Sequence, residues 1–298
     1  MTVTRSDGTI DGPDGRSIGY GDYGPVDAYA VVLWCHGAPG SRLEPTRHAE
    51  VAAAQGVRIV AVDRPGYGLS SPWAGRSIGG AATDVATVAD HLGIEQFFVV
   101  GCSTGGAYAL AVAAAQPERV VGVVACCALT DMRWPEGRRM MTEAEGMGEA
   151  IRGIWEAPSR EAAMAIGVDL LGEDGSKLPA LMAQGPPPPP ADLTLLSDPA
   201  GMAGLLEGMR EAFHHGVQGF VDDRMADGAG WVSFDPGSVA CPVRVLHGSA
   251  DNVVPVAQAS YTADLVPGAT LRVVDDLGHM SIAGEILTEL AQFGILGL

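Results

Sequence analysis

Phe97-Phe98-Val99-Val100-Gly101-Cys102-Ser103-Thr104-Gly105-Gly106 is the stretch that decides the fold. Four apolar residues predict a buried strand, and the Gly-x-Ser-x-Gly that follows predicts a sharp turn with a serine at its apex. The apex residue of such a turn is held in a strained conformation, and side chains two positions to either side would collide unless they are glycine or nearly so. Beyond it, Thr104 to Gln116 reads as a helix whose first amide groups point at the serine. Those amides can stabilise negative charge on a substrate oxygen. A serine presented in this way is a candidate nucleophile.

A serine hydroxyl needs a histidine to take its proton, and the histidine needs a carboxylate to fix its tautomer. Seven histidines are available, and position decides among them. Val243-Arg244-Val245-Leu246 is a short strand followed by His247-Gly248-Ser249-Ala250-Asp251, which puts Asp251 on a loop at a strand's C-terminal end. Leu271-Arg272-Val273-Val274 is the next strand, and its loop carries Gly278-His279. The order Ser103, Asp251, His279 is that of a serine nucleophile, acid and base on a parallel α/β sheet. Asp131 also ends a strand and is a second candidate acid. Asp275 and Asp276 lie so close to His279 in sequence that they are read as shaping its loop.

With these motifs the chain resembles the α/β-hydrolase-fold serine hydrolases, carboxylesterase-like members with a cap insert among them. His36-Gly37-Ala38-Pro39-Gly40-Ser41 resembles the family's oxyanion loop after the third strand, and Asp63-Arg64-Pro65-Gly66-Tyr67-Gly68-Leu69-Ser70 the loop after the fourth. The resemblance implies a mostly parallel central sheet flanked by helices, with a helical cap inserted after the sixth strand. It implies oxyanion donors in the backbone amides of Ala38 and Thr104. Cys102 departs from it mildly, since many members carry histidine or another larger residue just before the nucleophile.

The rest of the chain fits that organisation. Residues 1 to 29 hold turn-rich stretches, Asp11-Gly12-Pro13-Asp14-Gly15 the clearest, and predict an antiparallel edge hairpin. Strands at Ala30 to Cys35, Val57 to Val62 and Val120 to Cys127 alternate with helices at about Pro45 to Ala54 and Ile78 to His91. Continuous apolar strands separated by helices predict a parallel sheet buried on both faces, with ligands at the C-terminal strand ends. The pattern breaks near Asp131 and returns near Val239. The chain therefore divides into a first part of the core at 1–131, a helical cap at 132–235 and a second part of the core at 236–298. The cap carries nine of the eleven methionines and the proline run Pro186 to Pro190, read as a stiff extended crossing between helices. Trp134, Met140, Met141 and Trp155 are its candidate substrate-binding residues, against the plainer reading that they pack cap helices together. His214 and His215 are placed on a solvated helix. Arg133, Arg138 and Arg139 read as a solvated helix face more readily than as a carboxylate site.

Composition narrows the function further. A net charge of −18 argues against nucleic acid and anionic membranes as partners. No apolar run is long enough to span a bilayer, and Met1-Thr2-Val3-Thr4-Arg5 lacks the marks of a leader, so a cytoplasmic location is expected. The five cysteines are odd in number and form no C-x-x-C pair, which suits reduced, buried thiols. With no H-E-x-x-H motif, carboxylate cluster or nucleotide fingerprint, no metal or cofactor is expected. The expected partner is a small apolar ester or lactone, and self-association into a homo-oligomer stays open. Carbon–carbon bond hydrolysis, cofactor-free peroxidation and acyl transfer use the same constellation. A small-molecule receptor whose triad does not turn over is the rival from another class.

Overall fold

The computed structural model of the protein describes residues 3–144 and 147–294. Met1 and Thr2, part of the opening stretch read for a leader, lie outside them. Among the described residues eight strands form one sheet, in the spatial order β1 (Arg5–Asp11), β2 (Ser17–Tyr23), β4 (Val57–Val62), β3 (Ala30–Cys35), β5 (Phe97–Cys102), β6 (Val120–Cys126), β7 (Val243–Gly248) and β8 (Thr270–Val274). The hairpin β1 (Arg5–Asp11) and β2 (Ser17–Tyr23) opens it and is antiparallel, with the turn closed by bonds from the amides of Gly12 and Gly15. β2 also runs antiparallel to β4 (Val57–Val62). β3 (Ala30–Cys35), β4, β5 (Phe97–Cys102), β6 (Val120–Cys126), β7 (Val243–Gly248) and β8 (Thr270–Val274) are mutually parallel.

The inner strands are largely apolar because both faces are covered, Arg58 in β4 and Arg244 and His247 in β7 being the exceptions. On one face lie α2 (Ile78–His91), α3 (Gly105–Ala115) and α11 (Val256–Leu265), meeting residues such as Leu33, Val60, Val99, Val123 and Val245. On the other lie α1 (Thr46–Ala54) and α12 (Ile286–Ala291), meeting Val32, Trp34, Ile59, Val100 and Val124. Each fully buried valine or leucine contributes about 1.5–3 kcal/mol relative to an exposed one, so the two-sided core is the main stabilising element. α3, with the sequence GGAYALAVAAA, is buried nearly all round and needs no polar face.

Between β6 and β7 the described residues form seven α-helices: α4 (Pro135–Thr142), α5 (Gly148–Glu156), α6 (Arg160–Leu171), α7 (Leu178–Met182), α8 (Pro190–Ser197), α9 (Pro199–Ala212) and α10 (Gln218–Gly228). Their apolar faces close around Ile154, Ala163, Leu171, Phe213, Phe220 and Val221, with Met147, Met164, Met209 and Met225 packed against that cluster. Four of the insert's nine methionines thus pack its own helices. The proline run crosses from α7 to α8 and ends in an extended conformation at Pro189 (φ −56°, ψ 156°). His214 and His215 lie in the turn between α9 and α10 rather than on a helix, their rings edge to face at 4.9 Å. Among the described residues no helix is long and apolar enough to cross a membrane.

Candidate active site

Ser103 joins β5 to α3 with φ +52°, in the left-handed region that non-glycine residues seldom occupy. Its neighbours over-determine that conformation. The Ser103 amide donates to the Cys126 carbonyl on β6 at 2.9 Å, and its own carbonyl accepts from Gly106 at 3.0 Å and Leu129 at 3.3 Å. A β-carbon on Gly101 would run into the Gly105 carbonyl, and one on Gly105 into the Cys35 carbonyl, so the tight strand-to-helix turn demands both glycines.

Asp251 follows β7, and its Oδ1 accepts from the amides of Val253 and Val254, both at 2.9 Å. Its Oδ2 lies 2.8 Å from Nδ1 of His279 and 3.3 Å from Nε2 of His247. The loops after β7 and β8 are stitched together by Ala250 N–H to Leu277 C=O at 3.0 Å and Ser249 N–H to Val274 C=O at 2.9 Å. With Nδ1–H given to Asp251, Nε2 of neutral His279 is left as an acceptor, the tautomer a general base requires. Burial disfavours the imidazolium, but the Cys127 and Asp251 side chains beside it outweigh burial and hold the His279 pKa well above its ordinary value. Cys127 directly follows β6 at φ +43° and is buried. Among the described residues Ser103 Oγ and His279 are not hydrogen-bonded; such links are often long at rest and tighten around substrate.

Asp131, the other candidate acid, is engaged elsewhere. It accepts from the amides of Arg133 (3.0 Å) and Trp231 (3.1 Å) and pairs with the Arg133 guanidinium at 2.5 Å. Asp275 and Asp276 are exposed at the turn after β8. Arg139 pairs with Glu136 and Glu143, and Arg138 binds the Gly228 carbonyl over the Trp155 ring, which accounts for the basic spot without a ligand.

The loop expected to supply the Ala38 amide is pinned from below. Nδ1 of His36 donates to the Gly37 carbonyl at 2.7 Å and Nε2 accepts from the Arg64 amide at 3.1 Å, while burial pulls its pKa well down and keeps it neutral. Arg64 donates to the carbonyls of both His36 and Gly37. The Gly37 amide is held by Glu44 Oε2 at 2.8 Å. Among the described residues neither the Ala38 nor the Thr104 amide has an acceptor, which leaves both N–H groups free for a ligand oxygen.

Arg64 belongs to a buried cluster centred on Asp223 of α10. Asp223 accepts from Arg64 Nη2 (2.8 Å), Arg76 Nη2 (2.7 Å) and the hydroxyls of Tyr67 and Tyr108 (both 2.8 Å). Burial would raise its pKa, but the two guanidinium groups overcome this and hold it far below the carboxylate range. Next along α10, Arg224 bonds the Thr104 hydroxyl and pairs with Asp227 at 2.5 Å.

The candidate substrate-binding side chains separate. Met141 is buried in one cluster with Leu129, Met132, Ile151 and Val254, which includes both the residue bonded to the Ser103 carbonyl and one bonded to Asp251. Trp134 stacks on Tyr261 of α11 at 4.3 Å, Trp155 packs against Gly228, and Met140 is half-buried.

A family model described as the alpha/beta hydrolase fold matches residues 30–159, and solved structures of that fold cover essentially the whole chain. The chain has the α/β-hydrolase fold. Among the chain's curated relatives is a non-heme chloroperoxidase of Streptomyces lividans, 28% identical, with 94% of this chain and 96% of the relative covered. A structure described under novel epoxide hydrolases from metagenomes of hot environments is similar in fold, with TM-score 0.70 and 22% identity, covering 100% of this chain and 99% of the other. An esterase from Rhodococcus sp. ECU1013 superposes with TM-score 0.66 and 23% identity over 100% of both chains. The three differ in stated activity, so the chemistry has to be argued from this chain's own residues. Sequence reasoning missed the Asp223 cluster, although Asp222-Asp223-Arg224 with Asp227 one helical turn on was a dense charge run whose members are all buried.

Proposed function

We propose that the chain is a serine hydrolase that cleaves a carboxylic ester or lactone of an apolar small molecule through an acyl-enzyme. The observation that carries this reading is the 2.8 Å Asp251–His279 bond in the same strand-end layer as a serine elbow with φ +52°. In the proposed reaction His279 Nε2 takes the Ser103 Oγ proton as Oγ attacks the carbonyl carbon. The tetrahedral oxyanion is held by the Ala38 and Thr104 amides. His279 then gives its proton to the departing alkoxide, and in the second half it deprotonates the water that releases the acid.

Serine at the apex argues against epoxide opening, which in this family uses aspartate there. Trp134, Met140, Met141 and Trp155 in the insert are proposed to shape an apolar acyl pocket. The test is a panel of p-nitrophenyl esters of increasing acyl length, followed by lactones. Saturable hydrolysis with acyl-length selectivity supports the reading, and saturable binding without turnover would favour a receptor.

The name of the Streptomyces lividans relative motivates a second reading, in which hydrogen peroxide replaces water in attacking the acyl-enzyme and a peracid leaves. Adding a short carboxylic acid and peroxide to the assay, and measuring peracid, distinguishes the two.

A further inference from the structure

The proline run, so far only a crossing, ends at a group of contacts around His279. Asp192, in the first turn of α8, is buried, and its carboxylate faces the backbone of the His279 loop. Oδ1 accepts from the Ser281 amide at 2.8 Å and the Ser281 hydroxyl at 2.6 Å, and Oδ2 accepts from the Met280 amide at 3.1 Å. The Ser281 hydroxyl oxygen in turn accepts from the Gly278 amide at 2.8 Å. Residues on both sides of His279 are therefore tied, directly or through one hydroxyl, to a single carboxylate from the insert. The fit leaves no room for a side chain, since a β-carbon on Gly278 would lie 2.5 Å from Asp192 Oδ2. Five residues before Asp192, the Pro187 carbonyl accepts from Asn252 Nδ2 at 3.0 Å, and Asn252 follows Asp251. The stiff proline segment thus spans the loops of both acid and base.

We propose that Asp192 is a positioning residue for His279, a carboxylate lent by the insert that fixes where the base stands. The inference rests on the reading of His279 as the general base. Two physical facts support it beyond simple capping of the short turn Ser281–Glu285. Asp192 addresses the backbone immediately before and after the base, so its loss frees the loop at the reacting residue itself. Proline restricts the backbone of the segment that delivers it, so little ordering is required to hold it there. Displacement of a reacting group by about 1 Å lowers rates by about 10²-fold, which sets the scale of the effect.

The experiment compares Asp192→Ala, Asp192→Asn, Ser281→Ala and His279→Ala in the full chain. Each is checked by thermal melting and assayed with a p-nitrophenyl ester across pH and with a fluorophosphonate for Ser103 labelling rate. For Asp192→Ala, kcat is expected to fall about 10- to 100-fold with KM changed by no more than about threefold, and labelling is expected to slow in proportion. Asp192→Asn, which keeps one acceptor oxygen, falls between. Should Asp192→Ala fail to fold, Ser281→Ala removes only the hydroxyl link, and a several-fold loss of kcat is expected. Added to His279→Ala, Asp192→Ala costs nothing further, because it acts through the base. Wild-type kcat at all pH values in folded Asp192→Ala, or in Ser281→Ala, overturns the proposal, as does a further loss on the His279→Ala background. Full activity of His279→Ala itself would instead bring down the base assignment, a result distinguishable from all of these.

Discussion

Asp223 of α10 and Arg64 of the loop after β4 form an ion pair at 2.8 Å with both side chains buried, joining the helical insert to the arginine that also holds the His36 and Gly37 carbonyls before Ala38. Asp223 also answers Arg76 at 2.7 Å, so its removal strands two guanidinium groups away from water. Breaking such a buried pair from one side costs about 3–5 kcal/mol. Asp223→Ala is expected to lose stability on that scale in urea unfolding. Because its folded pKa is depressed, the Asp223 contribution is present above the ordinary carboxylate pKa and is lost as pH falls below it. The stability difference between wild type and variant should therefore be constant from neutral pH down to about 5 and shrink only in more acidic buffer. A constant gap at all pH values would contradict the electrostatic account.

The elevated pKa of His279 has a kinetic consequence. A base must be neutral, so kcat/KM for an ester should rise with pH and reach half its plateau above the ordinary imidazole value of about 6.5. Cys127 is one of the two groups that raise it. Cys127→Ala should shift the midpoint of a full pH–rate profile towards lower pH. A midpoint at or below about 6.5, indifferent to this substitution, would contradict the arrangement described.

Asp251→Asn replaces the acceptor of the His279 Nδ1 proton and favours the wrong tautomer, so turnover should fall by about 10³- to 10⁴-fold. Asp131→Asn weakens the Arg133 link and leaves most of the turnover. Steady-state rates of the two folded variants decide between the carboxylates, and the reverse ranking would move the acid to the loop after β6.

Selectivity should respond to Met141 more than to Trp134 or Trp155. Met141 is a buried member of the cluster with Leu129 and Val254, whereas Trp155 only packs against the edge of that cluster and against α10, and Trp134 stacks on Tyr261. Met141→Ala should change relative kcat/KM across an acyl-length panel by about tenfold, the value of one or two methylene groups in an apolar pocket. Met140→Ala, Trp134→Phe and Trp155→Phe should give flatter profiles. If Met141→Ala is flat while labelling of Ser103 persists, that side chain only packs the insert.

The core was legible in the sequence because the inner strands are largely apolar and most of the core helices close near a glycine or polar residue. Strands at Ala30–Cys35 and Val57–Val62 and a helix at Ile78–His91 follow from local pattern alone. The Asp251–His279 contact was legible because both residues sit at strand ends, which the parallel topology gathers on one edge. What local pattern does not carry is partner choice across distance. Asp192 and Ser281 are separated by 89 residues and Arg64 and Asp223 by 159, and nothing in either neighbourhood names the other. His247 reads as part of a His-Gly turn, yet it stands 3.3 Å from the Asp251 carboxylate. The histidine pair at His214 was misplaced on a helix because α9 ends at Ala212, in a run with no proline and no glycine until Gly216.

The central claim is that Ser103 is the nucleophile, and mass spectrometry of the fluorophosphonate-treated protein tests it most directly. The account predicts one adduct, on the peptide containing Ser103, blocked by prior incubation with an ester substrate, and no adduct on folded Ser103→Ala, which should also lose ester turnover. An adduct on another residue of the wild type, or labelling and turnover that persist in Ser103→Ala, would contradict it.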